Sequence, residues 1–490
     1  MSRLIQPSAR ETVAALRAGM TTCEEVVHSA LQASRRAHAE TNAFVEIDAE
    51  GALAAARELD RRGPDFGLMG GVPYAFKDMF ARRGQRAGLG TTGTRLRTRA
   101  ADSTCLDRLD QAGAIPLGRL NLDPYGYAAT GLNPYLGAVR NPCHSAHIAG
   151  GSSSGAAAAV AAGAIPFAVG SDTAGSVRIP AALCGVVGFK PTYGRIPRTG
   201  AIPLSYSQDT VGIIARTVDD VALALSVMSG QDRQDPTSFD APPPPPPDAE
   251  PTVYSLSRGL RIGVDHDYLR EHCDDAVFDA LMRSCALLEE LGARLVPVSL
   301  AELPRYDLAA SVLTWCEAGA VHGYELAHDP HLYPASLHQR FHQALAAHGT
   351  DHVNALRIQG VALRAFLSTV LASCDTILSC GAPIEAPRID DAEADPVLTT
   401  LRLLSMNRPF NFLGLPSITL PMGTGPGHLP LGLQLVARPW AEHVLLRTAA
   451  AYEQHAAAAG PSRSVPTPAP ERQHHECTTG LPTDAPSDAC

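Results

Sequence analysis

The sequence predicts an α/β fold built on a mixed or mainly parallel sheet. Two observations carry this expectation. From about Leu68 onward, short apolar runs recur between glycine turns: Val72-Pro73-Tyr74-Ala75-Phe76, Ala114-Ile115-Pro116-Leu117 and Ile165-Pro166-Phe167-Ala168-Val169. Helix-like stretches such as Thr104 to Ala112 lie between them. Strand-like and helical patterns in alternation are the signature of α/β layering.

The chain opens with helices. Ser8-Ala9-Arg10-Glu11 reads as a capping box before Val13 and Leu16, and Gly19 ends that short helix. Thr22-Cys23-Glu24-Glu25 is a second box, ahead of a face made by Val26, Val27, Ala30 and Leu31. The α/β texture follows. Ala241 to Pro247 then carries six consecutive prolines, which predicts an exposed polyproline segment. Arg261-Ile262-Gly263-Val264 resumes as a strand, Asp275 to Leu291 as an amphipathic helix, and Gln339 to Leu371 as helical. Ser417 to Pro421 and Gly432 to Val436 read as a pair of strands, with Trp440 to His455 as the closing helix. Pro461 to Cys490 is rich in Pro, Ser, Thr, Glu and His and is expected to be disordered.

Bulk properties narrow the function. With 490 residues, 45% hydrophobic and 18% charged, the chain can bury a large core, in one large domain or two to three ordinary ones. A net charge of −10 is mild at this length and gives no reason to expect nucleic acid or an anionic membrane as partner. No apolar run reaches the ~20 residues of a membrane span. Met1 to Arg10 has no hydrophobic signal core, and the 11 scattered cysteines are an odd number, so a reduced, cytoplasmic setting is expected. No cysteine pair has C-x-x-C spacing, and neither a metal nor another cofactor is expected.

The chemistry is concentrated in two glycine-rich turns. Gly150-Gly151-Ser152-Ser153-Ser154-Gly155 precedes an Ala-rich helical stretch. Ser176 follows Ser152 by 24 residues, at the end of Gly170-Ser171-Asp172-Thr173-Ala174-Gly175-Ser176. The first turn alone could be a flexible Gly-Ser loop or a phosphate cradle at a helix N-terminus. It lacks the Walker pattern. The second turn favours nucleophilic catalysis. Small residues before Ser176 let backbone N–H groups approach a carbonyl oxygen and stabilise an oxyanion. A serine nucleophile needs a base. His144 and His147 are near in sequence but have no evident orienting carboxylate. Lys77, 75 residues before Ser152 in Phe76-Lys77-Asp78, is the other candidate. Free lysine titrates near ~10.4 and is a poor base at neutral pH, but burial beside Phe76 and Met79 would lower that value.

These residues resemble the amidase signature family. The likeness runs through Gly71 to Met79, Ala112 to Gly118, Arg140-Asn141-Pro142, both serine turns and Gly188 to Arg195, and resumes at Pro409 to Gly414 and Leu429 to Gln434. It implies a single large α/β domain over roughly Ser8 to Gly460, with a central mixed sheet flanked by helices on both faces. The expected organisation is an N-terminal helical segment (1–65), a core with the catalytic residues (66–240), a Pro-rich linker (241–257), the remainder with the substrate-pocket helices (258–460) and a tail (461–490). The resemblance implies Ser176 as nucleophile, Ser152 as a relay serine on a cis peptide and Lys77 as base. It implies an oxyanion hole from the amides of Thr173, Ala174, Gly175 and Ser176, braced by Asp172 and Arg178. The chain departs from the common pattern at Ser154, where a glycine is usual, with Ala156 following Gly155, and at His147-Ile148-Ala149, where Arg and Pro are common.

The implied activity is hydrolysis of a carbon–nitrogen bond in a small amide, with aryl amides, carbamates and urea-derived amides as candidate substrates and esters within the family's reach. The alternative is the amidase component of a tRNA-dependent amidotransferase. A homodimer is a family-level expectation. Substrate-pocket candidates are Tyr125, Gly131, Leu132, Trp315 and Met406, with Ser205 to Gln208, Glu317 and Asn407 beside them.

Overall fold

In the computed structural model, residues 6–63, 67–82, 87–91, 102–241, 256 and 259–459 are described. Pro242 to Pro247 and the tail from Pro461 lie outside them.

The two capping boxes form as the sequence dictates. The Ser8 hydroxyl accepts from Glu11 N–H and the Glu11 carboxylate from Ser8 N–H; Thr22 and Glu25 repeat the exchange. Eleven strands make one sheet: β1 (Phe44–Ile47), β2 (Pro73–Lys77), β3 (Ile115–Leu120), β4 (Phe167–Asp172), β5 (Val187–Lys190), β6 (Thr210–Ala215), β7 (Arg261–Val264), β8 (Arg294–Pro297), β9 (Thr376–Cys380), β10 (Ser417–Thr424) and β11 (Pro430–Ala437). Their order is β1-β3-β2-β4-β6-β5-β10-β11-β9-β7-β8. Parallel ladders join β2 to β3 and β4, and β7 to β8 and β9. Every ladder from β4 across the centre to β9 is antiparallel. The sheet is therefore mixed, and the mainly parallel alternative does not hold. Residues before position 66 are not only helical, because β1 closes the sheet edge against β3.

Strand periodicity divides the core between the two faces. In β4, Phe167 and Val169 join one apolar cluster and Ala168 the other. In β6, Ile213 and Ala215 join the first and Ile214 the second. Side chains alternate across a pleated strand, so a strand apolar at successive positions must be covered on both sides. The helix Ser154–Ala161 covers one face and packs against Cys23–Thr41; the helices Val218–Met228 and Glu442–Ala459 cover the other. The Ala-rich sequence of Ser154–Ala161 has a steric reason. A Cβ on Gly155 would stand 2.2 Å from the Ala43 carbonyl oxygen and 2.6 Å from Asn121 N.

The stretch read as helical from Gln339 to Leu371 is two helices, Ala335–Ala346 and Gly349–Thr369. The chain is extended at Ala347 and His348, and the Asp351 carboxylate accepts from His348 N–H at 3.0 Å to start the second. The helix Leu303–His328, 26 residues long, packs against Ala335–Ala346, Gly349–Thr369 and Arg408–Phe412. Among the described residues, no helix is long and apolar enough to cross a membrane.

Candidate active site

Two adjacent parallel strands, β2 and β4, end side by side. Ligand sites in α/β sheets favour the carboxyl ends of strands, and this pair ends in the residues singled out above. Lys77 is the last residue of β2, and Ser171 and Asp172 close β4. The serine turn of residues 150–153 enters from the side, with a cis peptide between Gly151 and Ser152.

Lys77 is fully buried, and its Nζ lies 2.8 Å from Ser152 Oγ and 3.0 Å from Ser171 Oγ. Burial lowers its pKa from 10.5 to about 7, against the opposing pull of Asp123, Asp172 and Asp209. The Ser171 hydroxyl is oriented by donating to Met79 Sδ at 2.7 Å, which leaves its lone pairs toward Lys77. Met79 and Phe76 are both buried, as the sequence suggested. Ser153 and Ser154 tie the turn down. Ser153 N–H donates to the Ser176 carbonyl at 3.0 Å, its hydroxyl donates to the Ser171 carbonyl at 3.2 Å, and the Ser154 hydroxyl reaches the Asn121 carbonyl at 3.5 Å. His147 Nδ1 contacts the Ala386 carbonyl at 2.7 Å, which uses that histidine in loop packing.

The loop before Ser176 wraps around Asp172. Its carboxylate accepts from Gly175 N–H at 2.8 Å, from Val177 N–H at 3.1 Å and from Asn411 Nδ2 at 2.9 Å. Arg178 donates to it through Nε at 3.0 Å and Nη2 at 2.9 Å. Burial alone would raise the Asp172 pKa, but the Arg178 charge and these hydrogen bonds hold it well below the usual carboxylate range. Arg178 is itself buried and also donates to Gln434 Oε1 at 2.7 Å and Asn411 Oδ1 at 2.5 Å. Gly175 has φ +117°, and a Cβ there would stand 2.6 Å from Asn407 Cβ, so only glycine fits. Its N–H is committed to Asp172. Those of Thr173, Ala174 and Ser176 make no hydrogen bond to other described residues, so the expected oxyanion hole keeps three of its four amides.

Ser176, Thr173 and Ala174 line a cavity of about 200 Å³. That is below the ~300–1,000 Å³ of drug-sized sites and suits a small substrate. Leu204, Trp315 and Leu404 give it apolar walls, and Arg340 and Arg408 bring positive charge. No Asp or Glu is among the lining residues. Arg408 is paired through Nε with Asp307 at 2.7 Å. Arg340 is buried; its Nη1 donates to the Tyr127 carbonyl and its guanidinium lies 4.9 Å from the Tyr127 ring centroid. No carboxylate of the described residues lies within ion-pair distance of Arg340, and burial lowers its pKa from the ordinary arginine value.

Of the pocket candidates, Trp315 lines this cavity, and Leu132 lines a smaller one that shares Arg340 and Val397 with it. Tyr125, Gly131 and Met406 are not among its lining residues. Tyr125 is buried and donates to the Leu332 carbonyl at 2.8 Å. Gly131 N–H is held by Asp123, and Met406 is buried with its carbonyl accepting from Gln434 Nε2 at 3.0 Å. Glu317 accepts from the Ser205 and Ser207 hydroxyls, and Gln208 donates to Thr314 and to the Ala310 carbonyl, which fixes that loop to the long helix. Sequence reasoning missed Asp123, Ser171, Arg340 and Arg408. Ser171 lay inside a quoted motif; the others carry no local signal. Among the described residues, no group of three or more His, Cys, Asp or Glu could hold a metal ion.

Comparison with known proteins agrees with this geometry. The model of the Amidase family matches residues 25–446. A glutamyl-tRNA(Gln) amidotransferase component from Cupriavidus pinatubonensis is 34% identical, over 91% of this chain and 96% of that protein. A chain from a solved vestigial protein complex, one that reveals the evolutionary origins of an s-triazine catabolic enzyme, superposes with TM-score 0.82 at 32% identity, covering 92% of this chain and 98% of its own. A bacterial aryl acylamidase of the amidase signature family gives TM-score 0.81 at 26% identity, covering 92% and 97%. With the family model spanning most of the chain, the chain belongs to the Amidase family of carbon–nitrogen hydrolases.

Proposed function

We propose that this enzyme hydrolyses a small amide bearing an anionic group, through an acyl-enzyme on Ser176. The observation that carries the reading is Lys77 Nζ, 2.8 Å from Ser152 Oγ, behind a cavity lined by Ser176 and Arg340. With a pKa near 7, a neutral Lys77 is available at physiological pH. Lys77 takes the proton of Ser152 as Ser152 takes that of Ser176. Ser176 Oγ attacks the carbonyl carbon, and the amides of Thr173, Ala174 and Ser176 hold the oxyanion. As the C–N bond breaks, the leaving nitrogen takes the Ser152 proton, which Lys77 replaces. Water then attacks the acyl-enzyme, giving its proton to the same relay. Asp172 and Arg178 keep the loop in shape.

Arg340 supports the anionic specificity. A buried guanidinium that has no carboxylate within ion-pair distance among the described residues gains most from a carboxylate, which it can bind with two hydrogen bonds. Carbamate- and urea-derived amides with a carboxylate suit this wall. A second reading, the catalytic component of a tRNA-dependent amidotransferase working with partner proteins, is favoured by the likeness to glutamyl-tRNA(Gln) amidotransferase components. The acid-free cavity lining weighs against it, because the α-ammonium of glutamine would find no carboxylate there.

Ammonia or amine release from a panel of carboxylate-bearing amides, their neutral esters and glutamine tests both. The expected result is kcat/KM at least ~10-fold higher for the carboxylates than for their esters, a gap that Arg340→Met closes. Glutamine as the preferred substrate, with co-purifying partner proteins, would establish the second reading instead.

A further inference from the structure

Asp123 carries no catalytic signal in the sequence, yet it packs directly against the Ser152 turn. It is fully buried, in the turn that follows β3. Its carboxylate accepts from the Thr130 hydroxyl at 3.0 Å and from Gly131 N–H at 3.0 Å and 2.9 Å, one to each oxygen. A Cβ on Gly151 would stand 1.9 Å from Asp123 Oδ2, so the carboxylate abuts the backbone immediately before Ser152. Asp123 N–H donates to the Ser152 carbonyl at 3.3 Å. Its own carbonyl accepts from Gly126 N–H at 2.9 Å, and Gly126 sits over the relay: a Cβ there would be 3.7 Å from Ser152 Oγ and 4.0 Å from Lys77 Nζ. The Gly131 turn closes against the serine turn, where a Cβ would meet the Gly150 carbonyl at 2.9 Å.

We propose that Asp123 is a positioning residue that clamps the Thr130–Gly131 turn onto the Ser152 turn and, by its negative charge, sets the pH at which Lys77 becomes a base. This rests on the relay described under Proposed function. The charges around the pair are few. Asp123 faces Lys77 and Arg340. Lys77 faces Asp123, Asp172 and Asp209; Asp172 is neutralised by Arg178, and Asp209 is held by the Thr173 hydroxyl at 2.6 Å with the Arg198 charge nearby. Asp78, next to Lys77 in sequence, faces away and pairs with Arg119 at 2.8 Å. Asp123 exerts the strongest of these three pulls on Lys77, and burial pushes its own pKa up to about 6.

The direction of the effect separates this from a purely structural role. Removing the Asp123 charge removes a force that favours the Lys77 ammonium, so the basic form persists to lower pH. Merely loosening the turn would admit water and move the Lys77 pKa up. The test follows phosphonylation of Ser176 by a fluorophosphonate, which displaces fluoride and uses the relay without the natural substrate. Labelling rates are measured against pH for wild type, Asp123→Asn and Thr130→Val, with Ser176→Ala as the blank. In wild type the rate climbs through about pH 7. In Asp123→Asn the midpoint is expected to fall by ~0.5–1 pH unit, with a plateau lowered ~10-fold. Thr130→Val, which weakens the hold on the carboxylate, moves the midpoint the same way by less, and decides alone if Asp123→Asn does not fold. An unmoved or raised midpoint overturns the role of Asp123 while leaving the relay intact. Absence of Ser176 labelling in wild type overturns the relay and this inference with it.

Discussion

Two buried lysines end two strands of the same sheet, and they are not equivalent. Lys77 closes β2 and Lys190 closes β5; neither has measurable exposure. Burial brings both to about 7, opposed at Lys77 by three aspartates and aided at Lys190 by the Arg178 charge, with Asp172 and Glu442 opposing. Their partners differ. Lys77 meets two hydroxyls; that of Ser171 is donated to Met79 Sδ, which leaves Ser152 as the one with a proton to give. Lys190 donates to the Pro191 carbonyl at 2.9 Å, which can only accept. A lowered pKa makes a lysine available as a base; the chemistry of its neighbour decides whether there is a proton to take.

The largest test of that contrast is activity. Lys77→Met is expected to lower kcat ~10²–10⁴-fold, the range of a lost general base, while Lys190→Met stays within ~3-fold of wild type. Steady-state rates on any accepted amide measure it, and comparable losses in both variants would erase the distinction. The next effect is on stability. Arg178→Ala leaves the buried Asp172 charge without its partner and should cost ~3–5 kcal/mol in denaturant unfolding. In that variant Lys190 also loses the charge that helps depress it, and its ammonium becomes the remaining neighbour for Asp172. A third effect is the pH dependence of stability. A lysine at about 7 folded and 10.5 unfolded binds its proton only in the unfolded chain between those values. Stability therefore rises from pH 7 to 10.5, and below pH 7 both states are protonated and the cost of the buried ammonium is fully present. Lys190→Met should flatten that rise in unfolding curves taken across the interval; an unchanged slope would place the Lys190 pKa near its ordinary value.

Much of the site was legible because its parts are local. Ser152, Ser176, Asp172 and Lys77 lie within short glycine-rich turns or at the end of an apolar strand, and those patterns have only a few physical readings. The capping boxes were legible for the same reason. What the sequence hid is long-range. Asp123 reaches Lys77 through folding, and nothing in Asn121-Leu122-Asp123-Pro124 marks it. Arg178 depends on Asn407, Asn411 and Gln434, more than 200 positions downstream. The cavity walls come from helices whose patterns read equally as core: Trp315 turned inward to the cavity, whereas Met406 was taken up by packing. The β10–β11 pair was legible, but the ladders that join β4, β6, β5 and β10 were hidden, since they follow an order no local pattern encodes.

The sheet order separates chemistry from choice. Strands β1 to β6 come from the first half of the chain and β7 to β11 from the second, and the halves join through a ladder of three residue pairs between β5 and β10. Lys77, Ser152 and Ser176 all precede that seam in sequence, whereas Trp315, Arg340, Leu404 and Arg408 follow it. Recombination between related genes could thus exchange the stretch from 303 to 406 and reshape the cavity wall while leaving Lys77, Ser152 and Ser176 in place. Asn407, Asn411 and Gln434, which brace Arg178 from across the seam, mark where such a chimera must keep the parental residues.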